Sequence, residues 1–275
     1  MRGIKNGFLR AFTYFAAVLT TGTLVFIVGY IVINGIGNIS WEFLTTPYSK
    51  ETGGILSMIV TTLYMIGISL IIAVPIGIFT AIYLVEYAKR GSRLVYFVRL
   101  AAESLAGIPS IIFGLFGLLF FVTALGWSWS LLAGALTLSI MVLPTIIRST
   151  EEALKAVPDA YREGSFALGT GKLRTVFRII LPSAAPGILA AVILSIGRIV
   201  GETAAVILTA GTVAKIPSSL MQSGRTLSVH MYLLAKEGID FGQAYATALV
   251  LIIIVVLINS LTNFFGNKFN RSDTK

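Results

Sequence analysis

Apolar residues run in long blocks along this chain, and charged residues gather in the short stretches between them. Six blocks each approach the ~20 residues that an α-helix needs to cross a bilayer. They fall at about 11–33, 58–85, 105–125, 129–147, 185–210 and 244–265. The pattern predicts an all-α integral membrane protein of six transmembrane helices, organised as one domain over 1–275. Pro75 interrupts the second block, Pro109 lies near the start of the third, and Pro144 lies near the end of the fourth. Each predicts a bend. Pro186 falls in the first turn of the fifth block, where a missing N–H leaves no bond unmade. Arg2, Lys5 and Arg10 precede an apolar run too long for a secretory signal, so this run is read as an uncleaved first span.

The segments between the blocks have patterns of their own. Within 148–182, Pro158 and Asp159 mark a helix start and Gly169 a stop. Leu173, Val176, Phe177 and Ile180 then recur at i, i+3, i+4 and i+7, which predicts a second short helix able to lie at the membrane surface. Two other connections are long. The first, 34–57, carries Trp41, Phe43 and Tyr48, aromatics suited to a membrane interface. The second, 211–243, holds a short amphipathic helix around 227–235. Both leave room for docking an outside partner.

Composition supports the membrane reading. Of the 275 residues, 56% are hydrophobic and only 12% charged, against about 25% charged in soluble domains. The mean hydropathy is +0.90. The absence of cysteine excludes disulfides and thiolate metal sites, and His230 is the single histidine, so no metal site is expected. The net charge of +9 is not a nucleic-acid footprint, because no basic patch is interleaved with aromatics. The positives instead flank the spans. With the N-terminus inside, sixteen of the 21 Lys and Arg fall on inner segments and four on outer ones. That bias places both termini in the cytoplasm. Lys50, Arg90 and Lys275 are among the residues counted.

The fifth block holds two charges near its middle, Arg198 and Glu202. An ionisable group at the centre of a spanning helix costs roughly 2.5–3.5 kcal/mol on insertion scales. At a separation of four they share a helical face. They either neutralise each other and brace the bundle or form a polar station on a substrate path. Gly197 and Gly201 flank Arg198 as a small-xxx-small pair, and with Gly187 they predict close approach by other helices. A phosphate-loop reading of Gly169-Thr170-Gly171-Lys172 fails, because Phe166 and Leu173 stand where that motif needs glycine and a hydroxyl residue. Any ATP is therefore used by another subunit, and this chain is not expected to be an enzyme or to bind a cofactor.

One stretch carries a resemblance. Glu163-Gly164-Ser165, three residues, Gly169, nine residues and Ile179-x-Leu181-Pro182 are similar to the EAA loop of importer-type ABC transporter permeases, matching at every fixed position. Gly164 and Ser165 stand where the family usually has alanines. The small residues keep close packing, and Gly164 is expected to loosen the helix. The resemblance implies the MetI-like permease fold. It also implies that Arg162, Glu163, Gly164, Ser165, Gly169, Leu181 and Pro182 belong to a coupling loop seated in an ATPase subunit. Further stretches resemble the phosphate-specific permeases of the Pst system: Gly53-Gly54-Ile55, the run 81–87, the run 106–111 and Gly201-Glu202-Thr203-Ala204. The run 143–152 favours the PstA type over its PstC partner. Ala205 replaces a proline usual in that type, which is expected to straighten the second half of span five.

The resemblance implies a heterodimer with a PstC-type permease, two PstB-type ATPases and an extracytoplasmic PstS-type binding protein. The setting would be a bacterial or archaeal cytoplasmic membrane, and the cargo inorganic phosphate. Arginine keeps its proton and binds phosphate through paired hydrogen bonds, so Arg198 suits a transient ligand. Glu202 is expected to pair with Arg198 in the empty path, and Thr203 to offer a hydroxyl. Two other readings stay open: a permease for another oxyanion such as molybdate or sulfate, and an ion-coupled secondary transporter using the charged pair as a relay.

Overall fold

The computed structural model describes residues 2–49, 52–89 and 91–272, with side chains described from 10 to 264. Lys50, Arg90 and Lys275 lie outside the described residues. Among those described, every regular element is helical. A lipid interior offers no hydrogen-bond partners, so a spanning segment must satisfy its backbone within itself, and helices do so.

The first span, α1 (Arg2–Gly35), is followed by a short turn and the small helix α2 (Trp41–Thr45), which Ser40 caps through its hydroxyl. The second, α3 (Leu56–Ile82), runs on without a break into a π-helical turn (Tyr83–Tyr87). The third block departs from its expectation of one span over 105–125. The chain forms α4 (Arg93–Ala106), breaks at residues 107–109, and resumes as α5 (Ser110–Gly117) with a π-helical turn (Leu118–Ala124). The two arms meet at 104°. Pro109 explains the break, because its ring drives Ile108 out of the α region and it has no N–H to continue the ladder.

The remaining spans are α6 (Leu131–Lys155), α9 (Leu181–Gly201) and α12 (Phe241–Ser272). Among the described residues, five helices are long and apolar enough to cross a membrane, and a sixth results if the bent pair counts as one span. Between α6 and α9 lie α7 (Asp159–Ala167) and α8 (Lys172–Thr175). The stripe from Leu173 to Ile180 is not a separate surface helix. It opens a continuous run, Lys172–Gly201, through a π-helical turn (Val176–Ile180). There Leu181 N–H reaches back to the Val176 carbonyl. The ring of Pro182 excludes the normal placement of the carbonyl four residues back, so the helix widens just before it.

The spine of the bundle is α3 against α6. Ser69 Oγ donates to Ala135 O at 3.1 Å, and Ser139 Oγ donates to Ser69 O at 3.1 Å. Hydroxyls that bridge helices in this way hold a bundle where lipid gives no hydrophobic drive for association. Around the spine, Met65, Phe113, Leu138, Met141, Ile199 and Val206 form the main core. α1 packs along α12 at the rim, where Gly35 lets the Tyr245 backbone approach.

At the end opposite α7, the aromatics of 34–57 divide. Trp41 is exposed as an interfacial residue would be, whereas Phe43 is buried with Ile55, Met58 and Leu227. Tyr48 packs edge-on to His230 at 5.1 Å. The expected helix near 227–235 is α11 (Leu227–Glu237), capped by Thr226 and ended by Gly238 at φ 63. His230 faces inward on it. Burial, and secondarily the Arg225 charge, pushes its imidazole down to about 4, so it is neutral at pH 7.

Candidate functional site

The sequence led to two places, and the structure builds each differently. The first is the fifth span. The expected single helix over 185–210, straightened by Ala205, is not formed. α9 ends at Gly201, Glu202 turns extended at φ −74 and ψ 124, and a short helix, α10 (Ala204–Thr209), follows. Two hydrogen bonds hold the break. Ser228 Oγ donates to the Glu202 carbonyl at 2.9 Å, and the Glu202 carboxylate accepts the Ala205 N–H at 3.2 Å. A carboxylate capping the start of a helix meets its free N–H groups and its positive dipole end. The substitution that was expected to straighten the span therefore supplies a donor that proline lacks.

Glu202 is thus engaged with α10 and does not pair with Arg198. Among the described residues, the ion pairs are Arg99–Glu151, Lys155–Glu151, Arg162–Glu86 and Arg162–Asp159. Arg198 is half-buried on α9, and its guanidinium forms no hydrogen bond among the described residues. Gly197 and Gly201 beside it have open space where a Cβ would point, whereas Gly187 is pressed against Ala153. Of the three glycines only Gly187 serves packing within the chain. The Arg198 face is open. Thr203 contributes a hydroxyl one residue past Glu202, 3.4 Å from the Gly201 carbonyl.

The second place is the segment 148–182. α7 starts after Pro158, and Gly169 turns the chain at φ 77, as the pattern predicts. Glu163 and Gly164 are exposed on α7. Ser165 is buried, its hydroxyl 3.0 Å from Thr170 Oγ1 and 2.8 Å from Thr175 Oγ1. Where alanine would only fill space, this serine ties α7 to α8. Tyr161, Phe166 and Leu168 stand exposed, Leu168 at 88%. Leu181 packs into the cluster of Ile82, Leu154, Val176 and Ile180 below, and Pro182 begins α9. A Cβ on Gly164 meets no atom within 4 Å. Gly164→Ala is therefore expected to stiffen α7 by about 0.5–1 kcal/mol, read as a higher thermal midpoint of the purified protein.

Sequence reasoning missed the partners that hold this segment. Glu151 is buried on α6 and takes Arg99 from α4 and Lys155 from the next turn, each at 2.6 Å. A cleft of about 220 Å³ beside them is lined by Arg99, Glu103, Arg148, Glu151, Glu152 and Lys155. Equal numbers of both signs make it an ion-pair cluster rather than an anion site. The available signal was an acid on the apolar side of α6, four residues before a lysine.

The comparisons with known proteins agree with this architecture. The family described as "binding-protein-dependent transport system inner membrane component" matches residues 73–272. The chain is 34% identical over 268 residues to the probable ABC transporter permease protein YqgI of Bacillus subtilis, covering 91% of each chain. It is 35% identical to the phosphate transport system permease protein PstA 1 of Mycobacterium tuberculosis, covering 94% of this chain and 87% of that one. Among solved structures, a bacterial ABC transporter involved in the import of alginate aligns with a TM-score of 0.65 at 17% identity, over 96% and 98% of the two chains. The MetNI methionine ABC transporter, in an inward-facing conformation, aligns at 0.60 and 21% identity, over 82% and 97%. These two likenesses speak to the fold.

Proposed function

This chain belongs to the family of binding-protein-dependent transport system inner membrane components, and we propose that it is the PstA-type permease subunit of an ATP-driven phosphate importer. It is a multi-pass membrane protein and a transport subunit, not an enzyme. The observation that carries the reading is Arg198: a half-buried guanidinium without an acceptor among the described residues, on the open face of a spanning helix. A permanent cation in that setting calls for an anion from outside the chain. Relatives named as phosphate permeases at 30–35% identity support phosphate as that anion.

In this reading a second permease of PstC type packs against the open face at Gly197 and Gly201, and the path runs between the two subunits. An extracytoplasmic binding protein of PstS type delivers phosphate at the end holding α11. The α7 end is cytoplasmic, in the plasma membrane, and the exposed Tyr161, Phe166 and Leu168 seat in one of two PstB-type ATPases. ATP-driven closure of the ATPases pushes α7. Arg198 holds phosphate transiently through charge-assisted hydrogen bonds. Glu202, fixed as the cap of α10, adds a nearby negative charge that keeps the anion from being trapped.

The test is uptake of radiolabelled phosphate into proteoliposomes holding the complete complex. Uptake is expected to need ATP and binding protein and to persist in equimolar sulfate or molybdate. Equal competition by either oxyanion would give the cargo to another member of the class. Uptake driven by an ion gradient without ATP would replace the importer by a secondary transporter.

A further inference from the structure

Glu86 lies in the π-helical turn that ends α3, and its side chain is only 8% exposed. It accepts two bonds from Arg162, from Nε at 3.1 Å and from Nη2 at 2.8 Å. The same guanidinium donates to the Leu154 carbonyl at 2.9 Å and the Val157 carbonyl at 2.9 Å, at the end of α6, and to Asp159 Oδ1 at 3.1 Å. One side chain of α7 thus uses all three of its nitrogens to fasten α7 to α6 and to α3. The rigid, planar fork of arginine makes this possible.

The attachments to α6 and to α3 differ in kind. α7 follows α6 in sequence and caps its last carbonyls, so any motion of α7 already reaches α6. Packing of α7 is against α8 and the π-helical turn (Val176–Ile180), not broadly against α3. The direct polar link from α7 to α3 is the Glu86 carboxylate. A further tie comes from α8, where Lys172 Nζ lies 5.1 Å from the centre of the Tyr87 ring. Beneath them Ala81 and Ile82 of α3 pack with Leu154, Val157, Val176 and Ile180. The pair therefore sits on a close-packed base, where displacement is transmitted rather than absorbed.

We propose that Glu86 is the positioning residue that carries displacement of α7 into α3, so that α3, α6 and α7 move as one body when the ATPases close. This deepens the permease reading and rests on it, but it does not depend on the cargo. Glu86 touches neither ATP nor the transported anion. It acts by holding Arg162.

The chain contains no cysteine, so spin labels at Ala160→Cys on α7 and Ile71→Cys on α3 report without background in a complex whose partner chains have their own cysteines replaced. Both positions are exposed. In the full complex the distance between the labels is expected to stay the same between the nucleotide-free and ATP-trapped states. With Glu86→Ala it is expected to change between those states. ATP hydrolysed per phosphate imported is expected to rise about tenfold, a loss of about 1.4 kcal/mol in coupling. Glu86→Gln keeps an acceptor oxygen for Arg162 and is expected to restore most of both readouts. Unchanged distance and ratio in Glu86→Ala would overturn the proposal. If Glu86→Ala does not assemble, Glu86→Asp decides, because its shorter side chain draws the carboxylate away from Arg162: a raised ratio supports the proposal, and an unchanged ratio, whether or not both rates fall, overturns it. If the wild-type complex moves no phosphate, the cargo assignment fails, and the label distances still decide the role of Glu86.

Discussion

Replacing Arg198 by glutamine is expected to lower phosphate uptake about 10- to 100-fold, the loss of one charge-assisted hydrogen-bonding group worth about 1.5–3 kcal/mol. ATP hydrolysis by the assembled complex is expected to persist. The reason is positional. Arg198 lies near the C-terminal end of α9, far in sequence from α7, and holds no partner among the described residues whose loss would unfold the chain. Glutamine keeps two N–H donors on a shorter side chain and loses the charge. Arg198→Lys keeps the charge and loses the planar pair of donors, so it is expected to fall between the two. Uptake of radiolabelled phosphate and ATP turnover in the same proteoliposomes provide the check. Normal uptake by Arg198→Gln would make the residue a brace for the neighbouring subunit and remove it from the path.

Gly117→Leu is expected to prevent folding or to lower the thermal midpoint sharply. A Cβ on Gly117 would stand 2.2 Å from Thr137 Oγ1 and 2.6 Å from Thr209 Cγ2. Neither neighbour can swing aside freely, since Thr137 donates to the Ala133 carbonyl and Thr209 to the Ala205 carbonyl. The helices that carry them are themselves fixed. Gly114 brings α5 against Ala205, and Gly134 brings α6 against Ala210. Overpacking a close-packed site costs about 1–3 kcal/mol, and more where the backbone must shift. Any shift of α10 also moves the N–H that Glu202 caps, so a folded remnant is expected to import poorly. Size-exclusion profiles and melting of the purified protein test this, with Gly22→Leu on α1 as control, because no atom lies within 4 Å of a Cβ there. A Gly117→Leu protein that melts like wild type would show that the α5–α6–α10 contact yields.

The two cases show what different signals in a sequence are worth. The apolar blocks, the helix start at Pro158 and the stop at Gly169 could be read directly, because each depends on a few neighbouring residues and on the bilayer as solvent. The charge pair on span five was read with a geometry that the structure does not form. A spacing of four implies contact only while the helix continues. Here the continuation was decided by the Ser228 hydroxyl, 26 residues away, and by the carboxylate of Glu202 itself. The proline at 109 announced a bend but not its 104°.

By itself, then, the chain's order of apolar and polar residues determined a helical membrane protein, and its motifs carried the resemblance to the family to which it belongs. Those features follow from solvent preference and local backbone chemistry, which act over a few turns of helix. Only the tertiary structure decided that Arg198 has no ion-pair partner among the described residues, that Glu202 caps α10, that Ser165 ties α7 to α8, and that Glu86 and Glu151 hold Arg162 and Arg99. Each of these rests on which side chains meet from segments distant in sequence. A hydrogen bond a few ångströms long is fixed by packing, and no periodicity along the chain records it.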